Sequence, residues 1–179
     1  MSGASQRDVL DQLVVRVPSL ATVLSRAARR VPTGSRFRRR VVEFQVKRAF
    51  AAMARSDVDL VVLLFEPAAE VEMQGMAAVG VDERYHGHDG IRALYANIDE
   101  VFDEWSWTIR EIVDGGDRLA VHTDFFGHGR ASGVVTEIRG GGTAVRVSDS
   151  GRATWQGWYV EQGGWEKALA AVGLSAPVT

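Results

Sequence analysis

The sequence predicts an α+β fold in which helices pack on one face of a curled, mixed or antiparallel sheet and form a cone around an internal pocket. Three observations support this prediction. Apolar residues recur at helical spacing in the first hundred residues and at the alternate spacing of strands after residue 107. Helices followed by a run of strands are typical of α+β domains. The length of 179 residues suits one domain with a sizeable core.

Residues 1–34 are predicted to form an N-terminal helical extension, and residues 35–179 the α+β domain. Apolar spacing in the extension is interrupted at Pro18 and again at Pro32, so its helices are short. Helices of this length are not stable alone in water. We therefore expect them to lie on the surface of the domain.

Three helices are expected in the first half of the domain. Ser35 is a suitable N-cap for a helix that extends to about residue 56. A short helix follows over residues 58–65, and Asp89 caps a third that extends to about residue 105. The apolar stripes of the first and third helices are Val42, Val46, Ala49, Phe50 and Met53, and Ile91, Leu94, Tyr95, Ile98, Phe102 and Trp105.

Strands are expected wherever apolar and polar residues alternate. Gly140-Gly141-Gly142 is either a bulge or a turn, because glycine is common at both. A last short helix, Trp165–Val172, is capped by Gly173. The expected strands cover residues 69–73, 107–110, 119–125, 134–138, 143–148 and 153–160.

Composition excludes several kinds of protein. The chain has no cysteine, which excludes disulfides, thiolate nucleophiles and cysteine-ligated metal. The longest apolar run, Leu60–Phe65, has six residues, whereas a membrane-spanning helix needs about 20. Residues 1–20 lack the features of a secretory signal. We therefore expect a soluble cytoplasmic protein without a membrane span.

Charge is distributed unevenly along the chain. Residues 1–56 carry 12 basic and 3 acidic side chains, a net charge of +9, although the whole chain has a net charge of −2. This segment is either a patch for nucleic acid or anionic membrane, or a solvated helix face that pairs with acidic groups. Because the cluster does not have aromatic interleaving of the sort that single-strand binders use, no nucleic-acid partner is expected. The basic cluster is Arg26, Arg29, Arg30, Arg36, Arg38, Arg39, Arg40, Lys47 and Arg48.

Six blocks of sequence between residues 41 and 174 carry a resemblance to a known family. They are Ala51–Asp59, Leu64–Pro67, Ala69–Glu72, Tyr85–Arg92, Ile112–Arg118 and Leu169–Leu174. Their order and spacing resemble the nuclear-transport-factor-two-like fold, also called cystatin-like. More narrowly, the layout is similar to the SnoaL-like branch, which includes polyketide cyclases and ketosteroid isomerases. This fold hosts many functions, so the resemblance implies a fold more strongly than an activity.

The ketosteroid isomerase pattern tests one activity that the resemblance implies. Such enzymes use a tyrosine in the first helix, an aspartate base at the end of the first strand and a protonated aspartate on a later strand. These positions fall at Ala49, Met73 and Thr143 in this sequence. All three groups are absent, so we do not expect ketosteroid isomerase activity.

Three side chains are candidates for acid–base catalysis. His122 and Asp124 are two residues apart on a predicted strand, so they share a face and could form an imidazole–carboxylate pair. The opposite face is the better lining for an apolar pocket, so this pair is expected to face outward or to lie in a dimer interface. Tyr95 points inward on the stripe of the third helix, either as a hydrogen-bond donor to a ligand or as a core residue.

Metal and nucleotide sites are not expected. His86, His88, His122 and His128 would need to converge as at least three ligands, and the resembled family usually works without metal. Gly127, Gly129 and Gly133 nearly form a dinucleotide-binding motif, but strands follow instead of a helix. We therefore expect no metal and no cofactor.

Two functions are compatible with the sequence. The first is a pocket for a small apolar ligand, cyclic or acyclic, with cofactor-free chemistry of the isomerase, cyclase, dehydratase or hydrolase type as its enzymatic form. The second is a non-catalytic dimeric interaction module that uses the convex sheet face and the basic extension. We expect the protein to be a homodimer whose contact on the outer sheet face is formed by Phe126, His122, Trp155 and Tyr159. The lining expected for the pocket, which could equally be a filled core, is Phe50, Met53, Val71, Met73, Tyr95, Trp107, Val121, Phe125, Val145 and Trp158.

Overall fold

The computed structural model describes residues 31–176. Most of the predicted extension, residues 1–30, lies outside the described residues, as does the end of the chain. Ser35 accepts a hydrogen bond from the amide of Phe37 and caps the first helix, as expected. The elements, in chain order, are α1 Arg36–Ala54, α2 Val58–Val62, β1 Phe65–Gln74, a short 3₁₀ helix Ala77–Val79, β2 Arg84–His86, α3 Gly87–Val101, β3 Phe102–Asp114, β4 Arg118–Gly129, β5 Val135–Val147, β6 Ala153–Tyr159 and α4 Gly164–Ala171.

The six strands form one mixed sheet in the order β2-β1-β6-β5-β4-β3. Only β1 and β6 run parallel; the other neighbours are antiparallel. β4 and β5 each pair with a strand on both sides, so neither is an edge strand of the sheet. The α+β class with a mixed sheet is confirmed.

The sheet has two covered faces. On the inner face, strand side chains such as Val121, Phe125 and Trp158 pack with α1, α2 and α3 in the larger core. On the outer face, Ala120 and Ala144 pack with α4 in a second, smaller core. The expectation that every helix lies on one face is therefore wrong for α4.

Small residues explain how α4 approaches the outer face so closely. A Cβ atom on Gly142 would lie 2.7 Å from the Cβ of Ala168 and 2.7 Å from the carbonyl oxygen of Gly164. Ala120, Ala144 and Ala168 are completely buried at the same contact. The helix therefore packs directly on the backbone of β5.

Three predicted boundaries are corrected by the structure. The third helix begins at Gly87 and ends at Val101, so Phe102 and Trp105 belong to β3. Phe102 is extended and pairs with Gly129, although its spacing also fits a helix. The second helix ends at Val62, and β1 contains Pro67 in the irregular stretch of its pairing with β6.

Gly140 lies inside one continuous strand, β5, and not in a turn between two strands. The β4–β5 register shifts between Thr123 and Phe125, opposite this glycine. Gly140 has φ +76°, a left-handed conformation that favours glycine. Of the two alternatives for the triple glycine, the bulge is confirmed.

Candidate functional site

An aromatic cluster occupies the inner face between α1 and the sheet. The ring centroids of Phe50 and Trp158 are 5.5 Å apart, and those of Trp107 and Trp158 are 4.4 Å apart. Trp107 also contacts Phe125, at 4.7 Å between centroids. We call these four residues the aromatic cluster.

All ten residues of the predicted pocket lining belong to the inner core. Eight are buried, whereas Trp107 and Val145 are half-buried and pack against the others. The inward face inferred from alternation is therefore confirmed for β3 and β4. Further half-buried apolar strand side chains pack against the same inner core: Ile109, Ile112, Leu119 and Ile138.

Three uncharged polar side chains are also buried on the inner face. Thr123 and Thr143 are completely inaccessible, and Gln156 is almost so. In the part of the chain that the structure describes, the buried side-chain oxygens without a hydrogen-bond partner are the Oγ1 atoms of the two threonines. Sequence reasoning placed Thr123 on this face but did not identify either hydroxyl as a site residue. The available signal was a polar residue in an otherwise apolar alternation.

Tyr95 is in the inner core, where its ring contacts Trp105 at 6.0 Å. The neighbouring Asp99 carboxylate accepts hydrogen bonds from Ser56 Oγ at 2.8 Å and from Trp105 Nε1 at 3.1 Å. Burial raises the pKa of the Tyr95 hydroxyl strongly, and the negative charge of Asp99 adds to this effect. The phenol therefore stays protonated, so it is able to donate a hydrogen bond but not to act as a base.

His122 and Asp124 lie on the outer face. The imidazole of His122 stacks on Trp165 of α4, with centroids 5.2 Å apart and an interplanar angle of 11°. The Asp124 carboxylate accepts hydrogen bonds from Arg110 Nε at 2.7 Å and from the Gly140 amide at 3.0 Å. The structure therefore does not bring the three predicted catalytic residues together, because Tyr95 lies across the sheet from the other two.

The surroundings of Asp124 are those of a structural carboxylate. Partial burial alone would raise the pKa of Asp124, but the Gly140 amide and the Arg110 guanidinium outweigh it. The net effect holds the pKa of Asp124 below its ordinary value. Asp124 therefore stays ionised and anchors the β5 bulge to β3.

The other histidines are dispersed. His88 Nε2 lies 3.2 Å from the carbonyl oxygen of Phe65, and His128 Nδ1 lies 2.6 Å from Asp103 Oδ1. His86 is exposed, ends β2 and is the N-cap residue of α3. Within residues 31–176, no group of three or more His, Asp or Glu side chains is placed so that it could hold a metal ion.

One member of the basic cluster has a structural role. Arg38 is buried and donates to both carboxylate oxygens of Asp114, at 2.6 and 2.9 Å. It also donates to the carbonyl oxygens of Val31 and Gly116. This bidentate pair joins α1 to the end of β3.

The outward patch predicted for a homodimer is largely covered by the protein itself. Tyr159 is buried under α4, and the stacked Trp165 covers His122. The Arg146 guanidinium lies 4.9 Å from the ring centroid of Trp155. The prediction that His122, Trp155 and Tyr159 form an exposed patch is therefore wrong. Phe126 remains half-buried, close to Val135, whose surface is 54% exposed.

A helix long and apolar enough to cross a membrane is not found among residues 31–176.

A family model described as "SnoaL-like domain" matches residues 46–158. No curated protein sequence matches the chain.

Solved structures with a similar fold include TerC co-crystallised with polyporic acid, at 20% identity and a TM-score of 0.56, covering 68% of this chain and 92% of TerC. An NTF2-like protein of unknown function from Burkholderia pseudomallei has 19% identity and a TM-score of 0.58, with 70% of this chain and 92% of that chain covered. A protein described as a SnoaL-like polyketide cyclase from Shewanella putrefaciens has 11% identity and a TM-score of 0.56, with 72% and 96% covered. At these identities, the likeness concerns the fold.

Proposed function

Because the chain belongs to the SnoaL-like domain family, we propose that it binds a compact apolar, cyclic ligand on the inner face of its sheet. The observation that carries this proposal is the half-buried Trp107 in the aromatic cluster. A tryptophan whose ring contacts two buried aromatic rings, and which still reaches solvent, offers an open apolar surface to a flat ligand.

The chemistry of the inner face favours apolar ligands. Ile109, Ile138 and Val145 are also half-buried there, so a ring placed against them would remove apolar surface from water. Concave sites that are mostly apolar and contain a few polar groups are typical of small-molecule binding. Arg38 and Asp114, which are charged, neutralise each other at the edge of this face.

Binding without acid–base turnover is the form of the function that we propose. His122 and Asp124 lie on the opposite side of the sheet from the aromatic cluster. Side chains of adjacent strand residues point to opposite faces, so neither could reach a ligand there without refolding of β4. Tyr95 shares the inner face, but its raised pKa suits it to donating a hydrogen bond and not to accepting a proton.

Matched tryptophan variants test this proposal. Trp107 and Trp155 are both half-buried on strands, but Trp155 is on the outer face. Equilibrium dialysis with 2-methylnaphthalene measures the affinity of the full chain for an apolar ring compound. Trp107→Leu should weaken binding about tenfold, because aromatic contacts and buried area are lost. Trp155→Leu should change binding less than about twofold. Equal effects of the two variants, or no binding to the wild-type protein, would contradict the proposal.

Homodimer formation is the second candidate function, through a surface that differs from the one predicted from the sequence. Phe126 and Val135 lie on the outer face at the end of β4 and β5 that α4 does not cover. Exposed apolar patches are typical of protein contacts. Light scattering at high micromolar concentration should give twice the monomer mass, and Val135→Asp should return it to the monomer mass. A monomeric wild-type protein under these conditions would contradict the dimer.

A further inference from the structure

We infer that the hydroxyl groups of Thr123 and Thr143 form a polar subsite on the inner face, and that the ligand carries a hydroxyl or carbonyl oxygen that binds there. This inference rests on the proposed function and specifies its ligand class. The observation behind it is that both hydroxyls are buried in the apolar core without a hydrogen bond. Within residues 31–176, neither Oγ1 atom has a hydrogen-bond partner.

Register places the two hydroxyls on one patch of the inner face. Thr143 lies opposite Val121, and Thr123 is two residues further along the same strand. Diagonal neighbours of this kind have Cα atoms roughly 7–8 Å apart. A ligand of one or two fused rings therefore spans both positions, or reaches one of them with a single oxygen.

The flanking residues show that the inner face is their common direction. His122 and Asp124, on either side of Thr123, contact groups of the outer face. Gly142 faces α4, and Ala144 packs with the same helix, so Thr143 between them points inward. Thr143 is also opposite Trp158 of the aromatic cluster. The subsite and the apolar surface are therefore contiguous.

Stability alone does not explain threonine at these positions. Valine has nearly the same shape and an equal preference for strands, and it would bury no unpaired polar atom. Thr123 and Thr143 are completely inaccessible to solvent, so bulk water does not reach their hydroxyls. An oxygen-bearing ligand would satisfy hydroxyls that the protein alone leaves unpaired.

Access to the hydroxyls requires side-chain movement. Ile109 is opposite Thr123 and Trp158 is opposite Thr143, on the neighbouring strands. Ile109 and Trp107, two residues apart on β3, are half-buried, so each side chain is partly exposed to solvent. A ligand that enters beside Trp107 would displace these side chains and take their place against the threonines.

The chemistry of a hydroxyl defines what would bind. Each threonine both donates and accepts a hydrogen bond, so a ligand hydroxyl or a carbonyl oxygen is suitable. A carboxylate or phosphate is disfavoured, because an ion on this apolar face would lose its hydration. The ligand class is therefore a neutral cyclic compound with a phenolic, alcoholic or ketone oxygen.

The test uses two probes of nearly the same shape. 2-Naphthol carries a hydroxyl where 2-methylnaphthalene carries a methyl group, and equilibrium dialysis gives the affinity of each for the full chain. Wild-type protein should bind 2-naphthol about tenfold more tightly. In Thr123→Val and Thr143→Val this preference should fall towards unity, while the affinity for 2-methylnaphthalene is unchanged. Thr108→Val, at an exposed position of β3, should keep the wild-type preference.

A second measurement checks the unliganded state. Both inner-face variants should melt about 2–4 °C above the wild type, because an unpaired buried hydroxyl has been removed. The inference is overturned if the wild type binds both probes equally, or if the preference survives both substitutions. Binding of 2-methylnaphthalene in that case would leave the proposed function standing. If neither probe binds, the proposed function fails and the subsite fails with it.

Discussion

Substitution of Gly142 by alanine is the most direct test of how α4 is held on the outer face. The new Cβ would lie 2.7 Å from the Cβ of Ala168, 2.7 Å from the Gly164 carbonyl oxygen and 2.9 Å from the Cα of Trp165. Two of these three atoms belong to the helix backbone, which no change of side-chain rotamer moves. The helix must therefore shift away from β5 as a unit.

The size of the effect follows from two opposing contributions. Overpacking a well-packed contact costs about 1–3 kcal/mol, whereas replacing glycine by alanine inside a strand gains roughly 0.5–1 kcal/mol. We expect Gly142→Ala to lower the free energy of unfolding by about 2 kcal/mol, at the upper end because the backbone is involved. For a chain of this size, such a loss lowers the melting temperature by about 4–8 °C.

Chemical denaturation measures the free energy, and the ring-current shift of the His122 protons reports the stack on Trp165. In Gly142→Ala the stack should loosen, so these NMR signals should move towards those of an isolated imidazole. The double variant Gly142→Ala with Ala168→Gly should recover only part of the stability, because the backbone contacts remain. Unchanged or raised stability, with the His122 signals unmoved, would refute close packing of α4 on β5.

Two further predictions concern charged groups. Asp114→Asn should lower the free energy of unfolding by about 3 kcal/mol in thermal denaturation, because it removes the carboxylate charge that binds the buried Arg38 guanidinium. The exposed control Asp117→Asn should cost less than about 0.5 kcal/mol, and similar costs would contradict a structural pair. Hydrogen bonds from Ser148 and Ser150, with Arg152 nearby, hold the pKa of the Glu66 carboxyl below its ordinary value. Its stabilising contribution is therefore fully present above the ordinary pKa of about 4.3 and is lost as pH falls through the lower native pKa. Denaturation across this range should show Glu66→Gln less stable than the wild type at neutral pH and nearly equal to it near pH 2, whereas a difference independent of pH would contradict the ion's role.

The faces of β3 and β4 were predictable because alternation has a period of two. Val121 and Phe125 alternate with His122 and Asp124, and the structure places the two sets on opposite faces. The first helix was also predictable, since Ser35 provides a local capping signal. These features depend on neighbouring residues, and no distant contact overrides them.

The position of α4 and the start of β3 were not predictable in the same way. No residue near Trp165 or Leu169 in the sequence indicates which face of the distant sheet these two side chains cover. That depends on small residues more than twenty positions away, such as Gly142. Phe102 and Trp105 continue a helical spacing, and only pairing with β4 makes that segment a strand. Whether the hydroxyls of Thr123 and Thr143 find a hydrogen-bond partner likewise depends on which groups the fold places near them.

The central claim is that a cyclic ligand binds on the inner face, and the indole N–H signals of the tryptophans test it most directly. Trp107 and Trp158 are on the inner face, whereas Trp155 and Trp165 are on the outer face. In ¹H–¹⁵N spectra recorded during titration with 2-naphthol, the account predicts saturable shifts of the Trp107 and Trp158 indole signals and stationary signals for Trp155 and Trp165. Shifts confined to Trp155 and Trp165, or no shift of any indole signal, would contradict it.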